Sequence, residues 1–223
     1  MCVVPRAAVV TNTVMSSPVQ RKLTTILAAD TDGYSRVMEA DEVGALGALR
    51  AARSVFSRLI ERHHGRIANT AGDGLIAEFA SVVEAVQCAI DVQRELAADA
   101  QNGLRFRIGV HLGDVLIDGD DLLGEGVNLA ARLQSMAEPG GILISQQVFD
   151  QVQKKLSVGF NYLGEKQPKN FEEGVRVYAW RLVAMRDAER LVRRGRQNAT
   201  NRRNHRLLGQ DYLGPRNATR QSL

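Results

Sequence analysis

The sequence predicts an α+β fold: a ferredoxin-like β-α-β-β-α-β core with additional strands and helices and a sheet rich in antiparallel strands. Three observations predict it. "KLTTILAAD" is an apolar run that ends at Asp30 in the turn residues "TDGYS". From Asp41 to His63 the apolar residues Leu49, Ala52, Phe56, Leu59 and Ile60 recur on one helical face. "GRIANTAGDGLIAEF" then places two short apolar runs around Gly72-Asp73-Gly74, a tight-turn signal that reads as a hairpin.

The remaining elements follow in order. Ser81 and Glu84 form a capping box for a second helix carrying Val82, Ala85, Ala89, Val92 and Leu96. "LRFRIGVH" alternates, with Leu104, Phe106, Ile108 and Val110 on one face, and "DVLID" after Gly113 reads as its hairpin partner. "DDLLGEGVNLAARLQ" opens another helix behind two glycines. "GGILIS" reads as a strand, followed by a helix to about Leu156 and by strands around "VGFNYLG" and "VRVYAWRL". The expectation is an antiparallel sheet with helices on one face.

The chain has 223 residues, room for one core of ordinary size plus tails. A hydrophobic content of 44% with 24% charged residues is that of a globular chain, and no apolar run is long enough to span a bilayer. Residues 1–20 read as a disordered leader: Pro5 and Arg6 break its apolar run, it lacks the layout of a secretory signal, and Met15 would serve equally as a start. Cys2 and Cys88 suggest no disulfide framework, so the expected compartment is the cytoplasm. The folded unit is expected over residues 21–184 and a disordered tail over 185–223. From Arg186 onward ten arginines face three carboxylates, about +7, against +4 for the whole chain. The tail therefore makes the chain basic while the body is mildly acidic, which weakens a nucleic-acid reading. With Tyr212 as nearly its only aromatic, the tail has little to stack on bases.

Two groups of residues could carry chemistry. Asp30 and Asp73 each end an apolar strand beside a turn, and neighbouring strands would bring both carboxylates to one sheet edge. That is the hard-oxygen donor set of Mg²⁺; the alternative is a pair of ordinary turn aspartates. Asn128 and Arg132 lie one helical turn apart on a shared face. Arginine matches phosphate with a forked geometry, and asparagine can donate to an ether or phosphoryl oxygen; the alternative is a routine polar surface pair. Asp121, just before this helix, either reads a base edge or caps. "GEGVNL" lacks the third glycine of a dinucleotide cradle, and no P-loop is present. His63, His64 and His111 belong to no Cys/His cluster, so zinc is not expected.

Four ordered stretches, "AADTDGYSRVM", "GRIANTAGDGLIAEF", "RFRIGVHLGDV" and "DLLGEGVNLAARLQSMAEPGGILIS", together resemble the class III nucleotidyl cyclase catalytic domain over about Arg21 to Leu182. The resemblance implies the nucleotide cyclase form of the ferredoxin-like fold. It implies an adenylate cyclase that makes 3′,5′-cyclic AMP and pyrophosphate from ATP in signal transduction. Two Mg²⁺ or Mn²⁺ ions would sit on Asp30 and Asp73, with the Thr31 carbonyl completing one site. Arg132 would neutralise charge on the α-phosphate and Asn128 would orient the ribose. The active form would be a head-to-tail homodimer, Asp30 and Asp73 of one copy facing Asn128 and Arg132 of the other.

The base-reading pattern departs from the family's. Its aspartate is present as Asp121, but its lysine position is Asn69. The Asn69 amide can donate to adenine N1, or turn its carbonyl toward the N1 hydrogen of guanine. Asp121 would then face guanine O6, an acceptor against an acceptor, so ATP is favoured with weakened discrimination. The glutamate and cysteine of guanylyl cyclases are absent. Lys169 is either a triphosphate contact or an exposed loop lysine. Asp32, beside a metal carboxylate, either points away or adds charge. The competing readings are a weak or inactive cyclase-like nucleotide-binding domain and a cyclase with relaxed ATP/GTP selectivity.

Overall fold

The computed structural model describes residues 20–99 and 103–181. The expected tail lies outside the described residues, as does the expected leader apart from Gln20.

The elements are β1 (Gln20–Thr31), α1 (Tyr34–Ala40), α2 (Glu42–Arg62), β2 (Gly65–Ala71), β3 (Gly74–Phe79), α3 (Val82–Ala98), β4 (Phe106–Asp118), β5 (Asp121–Leu123), α4 (Glu125–Met136), β6 (Gly141–Ser145), α5 (Gln146–Val152), β7 (Asn161–Lys166) and β8 (Val175–Arg181). The strands form one sheet in the order β2-β3-β1-β4-β6-β8-β7, with β5 paired to β4. β1 runs antiparallel to both β3 and β4, while β4 and β6 are parallel. The segment β2-β3-β1-β4 with α2 and α3 is the ferredoxin-like core that the sequence predicts.

Local chemistry starts the core helices. The Asp41 side chain accepts from the N–H of Gly44 at 2.9 Å and caps α2. α2 then buries Ala45, Leu49, Ala52, Phe56, Leu59 and Ile60. Phe56 meets Phe106 of β4 edge to face, with ring centroids 5.0 Å apart. Burying each such large side chain contributes about 1.5–3 kcal/mol. Ser81 caps α3 by accepting from the N–H of Glu84 at 3.4 Å. The return arm of the expected capping box is not made. Glu84 Oε2 lies instead 2.7 Å from His63 Nδ1, while His63 Nε2 lies 3.1 Å from Asp91, joining the end of α2 to α3.

The fold differs from the expectation in three respects. Helices cover both faces of the sheet. Leu27 and Ala29 pack in the cluster of α2 and α3, whereas Ile26 and Ala28 pack with Ala130 of α4 on the opposite face. The physical reason is β1 itself, whose Ile26, Leu27, Ala28 and Ala29 are all at most 3% exposed. Second, "DVLID" is not a hairpin partner but the second half of one strand, β4. β1 pairs along its whole length, from Thr31 opposite Phe106 to Gln20 opposite Ile117. Gly113 marks a close approach rather than a turn, since a Cβ there would lie 3.3 Å from the Gly126 Cα of α4. The turn lies at Gly119, with φ of 61°, and leads into β5. Third, α1 begins at Tyr34, inside the expected turn, and runs on to Ala40 through residues for which the sequence suggested no element, and α5 ends at Val152 rather than near Leu156.

Candidate active site

Asp30 is the second-last residue of β1, and Asp73 sits in the turn between β2 and β3. The register of β3 on β1, with Leu75 opposite Ala29, carries that turn to Asp30. Gly74 fits between them: a Cβ there would meet Asp30 Oδ1 and the Ala29 carbonyl, both at 3.3 Å. Gly72, with φ of 57°, supplies the left-handed turn residue. Arg53 of α2 donates to the Gly72 carbonyl and holds the turn from outside.

The two carboxylates interact. Burial pushes the Asp30 carboxyl above its ordinary value, and the neighbouring Asp73 pushes it further by charge and by a shared hydrogen bond. The Thr31 N–H and the Arg107 guanidinium pull the other way. Thr31 is itself buried, and its Oγ1 has no hydrogen-bond partner among the described residues. Two carboxylates held together against their repulsion fit a hard divalent cation. Among the described residues no three His, Cys, Asp or Glu side chains converge on one point. A metal here would therefore take two carboxylates from the protein and further oxygens from elsewhere.

Arg107 is a residue that the sequence reading missed. It pairs with Asp32, so the extra carboxylate is taken up by a salt bridge within the chain. Arg107 stands opposite Asp30 in the β1–β4 ladder. The signal lay in "LRFRIGVH", where Arg107 alternates with apolar residues, but only the strand register reveals what it faces.

Asn69 and Asp121 are brought together. The Asn69 Nδ2 donates to both carboxylate oxygens of Asp121, at 3.1 and 3.2 Å. Asp121 Oδ1 also accepts from the Leu122 N–H at 2.9 Å. Asp121 does not cap α4. The N-cap there is Gly124, with φ of 118° and no side-chain cap.

The second group lies on α4. The helix sits close on the sheet because β4 and α4 meet at glycines: a Cβ at Gly109 would lie 2.2 Å from the Ala130 carbonyl oxygen, and one at Gly126 would lie 2.9 Å from that of Asp114. Leu129 and Leu133 are buried inward. Asn128, Arg132 and Lys169 line one cavity of about 370 Å³ with Glu125, Asn170 and Phe171. Lys169 thus faces the same space as Arg132. Asn170, with φ of 69°, forms the tight turn that follows it. Glu125 and Phe171 are further lining residues that the sequence reading did not single out. None of the lining residues belongs to β1, β2 or β3, which carry the Asp30–Asp73 end.

The description "Adenylate and Guanylate cyclase catalytic domain" belongs to a family that matches residues 18–178. The chain belongs to this cyclase family. A Rhizobium meliloti relative, provisionally named an adenylate cyclase, is 39% identical over 168 residues, covering 73% of this chain and 29% of its own length. The chain therefore spans under a third of that protein. An adenylate/guanylate cyclase/hydrolase structure from Silicibacter pomeroyi is 34% identical with a TM-score of 0.69, covering 74% of this chain and 99% of its own. The adenylyl cyclase CyaB from P. aeruginosa shares the fold at 23% identity and a TM-score of 0.64, over 72% of this chain and 94% of its own. Like its relatives, this cyclase domain has a mixed α+β fold with a mostly antiparallel sheet. Among its described residues no helix is long and apolar enough to cross a membrane.

Proposed function

We propose that this cyclase domain converts ATP to 3′,5′-cyclic AMP and pyrophosphate at a site shared between two copies of the chain. The observation that carries this reading is the division of the candidate residues. Asp30 and Asp73 meet at one place, whereas Asn128, Arg132 and Lys169 line a cavity to which β1, β2 and β3 contribute nothing. Each half lacks what the other has. A head-to-tail homodimer, which the family resemblance implies, would make two complete sites.

In the proposed reaction the ribose 3′-oxygen attacks the α-phosphorus as the bond to pyrophosphate breaks, and the hydroxyl proton leaves to solvent. Asp30, Asp73 and the Thr31 carbonyl would hold two Mg²⁺ or Mn²⁺ ions, which polarise the 3′-hydroxyl and the triphosphate when bound. Arg132 would offset the charge growing on the α-phosphate oxygens. Asn128 would orient the ribose, and Lys169 would bind the outgoing phosphates. Asp121 would accept from the adenine 6-amino group.

The contact between Asn69 and Asp121 favours a second reading of base choice. One N–H of the Asn69 amide is shared between the two Asp121 oxygens, so only its second N–H is left to donate to adenine N1. ATP remains the proposed substrate, with weaker rejection of GTP than a lysine would give. Turnover by the full chain tests both points, with ATP and GTP in Mn²⁺ and then Mg²⁺, and Asp73→Ala as control. Cyclic AMP that disappears in the control supports the proposal. No product from a dimeric sample would favour a cyclase-like domain that binds nucleotide without turnover.

A further inference from the structure

The proposed base readers sit on different elements, Asn69 on β2 and Asp121 at the start of β5. Beside them lies a network that the site has not used. Glu78 of β3, 8% exposed, is the cross-strand partner of Arg66. Arg66 donates to Glu78 Oε1 twice, from Nε at 3.0 Å and from Nη2 at 2.8 Å. Lys22 of β1 donates to the other carboxylate oxygen at 3.1 Å. The remaining arm of the guanidinium, Nη1, donates to the main-chain carbonyl of Asp120 at 2.8 Å. Asp120 immediately precedes Asp121.

A β-bulge explains how one strand reaches the turn twice. The β2–β3 register slips between Ile67 and Asn69. Strand alternation would put residues three apart on opposite faces; the extra residue restores Asn69 to the face of Arg66. Both side chains then cross to the β4–β5 turn, Arg66 to the carbonyl of Asp120 and Asn69 to the carboxylate of Asp121.

We infer that Arg66 is a positioning residue for base choice: braced by Glu78, it fixes the turn that presents Asp121 to the purine 6-position. The inference rests on the proposed role of Asp121. Because the contact is to a main-chain carbonyl, it constrains the turn whatever side chain stands at position 120. Lysine cannot replace arginine here, since an ammonium has no rigid fork to hold a carboxylate and a carbonyl at once.

The test uses two nucleotides, ATP and purine riboside 5′-triphosphate, which differ only in the 6-amino group. Their dissociation constants would be measured by displacement of a fluorescent ATP analogue from the full chain, for wild type, Arg66→Lys, Arg66→Met and Asp121→Ala, with Tm alongside. Wild type should prefer ATP. Both Arg66 variants should weaken ATP by about three- to tenfold, the range of one hydrogen bond, and leave purine riboside 5′-triphosphate unchanged. Arg66→Lys should lose less Tm than Arg66→Met, because it retains a charge partner for Glu78. Parallel loss of both nucleotides, or no loss of either, would overturn the role of Arg66 provided that Asp121→Ala erases the preference for ATP. If Asp121→Ala leaves that preference intact, the base-reading role of Asp121 fails, and the inference fails with it.

Discussion

Gly109→Ala tests whether the seat of α4 sets the geometry of Asn128 and Arg132. A Cβ at position 109 would lie 2.2 Å from the Ala130 carbonyl oxygen and 2.3 Å from the Gln134 nitrogen, both main-chain atoms of α4. No rotamer change can relieve this. Reaching an ordinary contact of 3.4 Å requires the helix to lift by about 1.2 Å. Overpacking of this kind costs roughly 1–3 kcal/mol. Each kcal/mol lowers Tm by about 2–4 °C in a domain of this size, so the variant should still fold. A misplacement of about 1 Å in positioning groups costs on the order of 100-fold in rate. The assay is cyclic AMP formation from ATP, with thermal unfolding of the same sample. Gly47→Ala is the internal control, since a Cβ there meets nothing within 4 Å in the interior of α2. It should gain about 0.5–1 kcal/mol and keep full activity. Gly109→Ala with wild-type turnover would refute the argument that close sheet contact positions the α4 residues.

Three further outcomes follow from the site and its supports. The Asp30 carboxyl is raised in the folded chain by burial and by Asp73, so the stability it contributes is complete below the ordinary carboxylate range and lost as pH rises through its raised value. Metal-free protein in EDTA should therefore lose Tm across that window; Asp30→Asn should flatten the loss and abolish turnover. Glu78 behaves oppositely. Burial pushes its carboxyl up, but hydrogen bonds and charge from Arg66 and Lys22 outweigh burial and hold it below the ordinary value. Its contribution is complete above the ordinary glutamate range and lost as pH falls through the lowered value, so Glu78→Gln should remove that acid limb from denaturant curves and cost about 1–3 kcal/mol at neutral pH. Arg132→Ala should lower kcat about 10²–10³-fold if it meets transition-state charge, with little change in Tm because the side chain lines an open cavity.

The core was legible where local chemistry and global packing agree. Asp41 and Ser81 cap the two helices whose apolar faces were read from spacing, and Gly72-Asp73-Gly74 is a turn. The second helical layer was half-visible. "ILAA" is a continuous apolar run rather than an alternating one, the mark of a strand covered on both sides, yet alternation elsewhere suggested a single buried face. Gly113 misled because glycine serves both turns and close approaches, and only the position of α4 decides between them. At the site, Asp30, Asp73, Asn128 and Arg132 stood at positions with recognisable motifs. Arg107, Arg53 and Arg66 did not, because each acts on a residue far away in sequence, and that distance closes only through strand register and the α2 packing. Asp32 looked like surplus charge until its partner came from β4.

The shared site is the central claim, and subunit complementation tests it most directly. Asp73→Ala and Arg132→Ala chains would each be purified, shown to be inactive alone, then unfolded together and refolded at equal ratio before assay with ATP. Random pairing puts half of the dimers in the mixed state, each with one intact site of two, so activity should return to about a quarter of wild type. A mixture as inactive as its parents, in a sample shown to contain mixed dimers, would contradict a site built from Asp30 and Asp73 of one copy and Asn128 and Arg132 of the other.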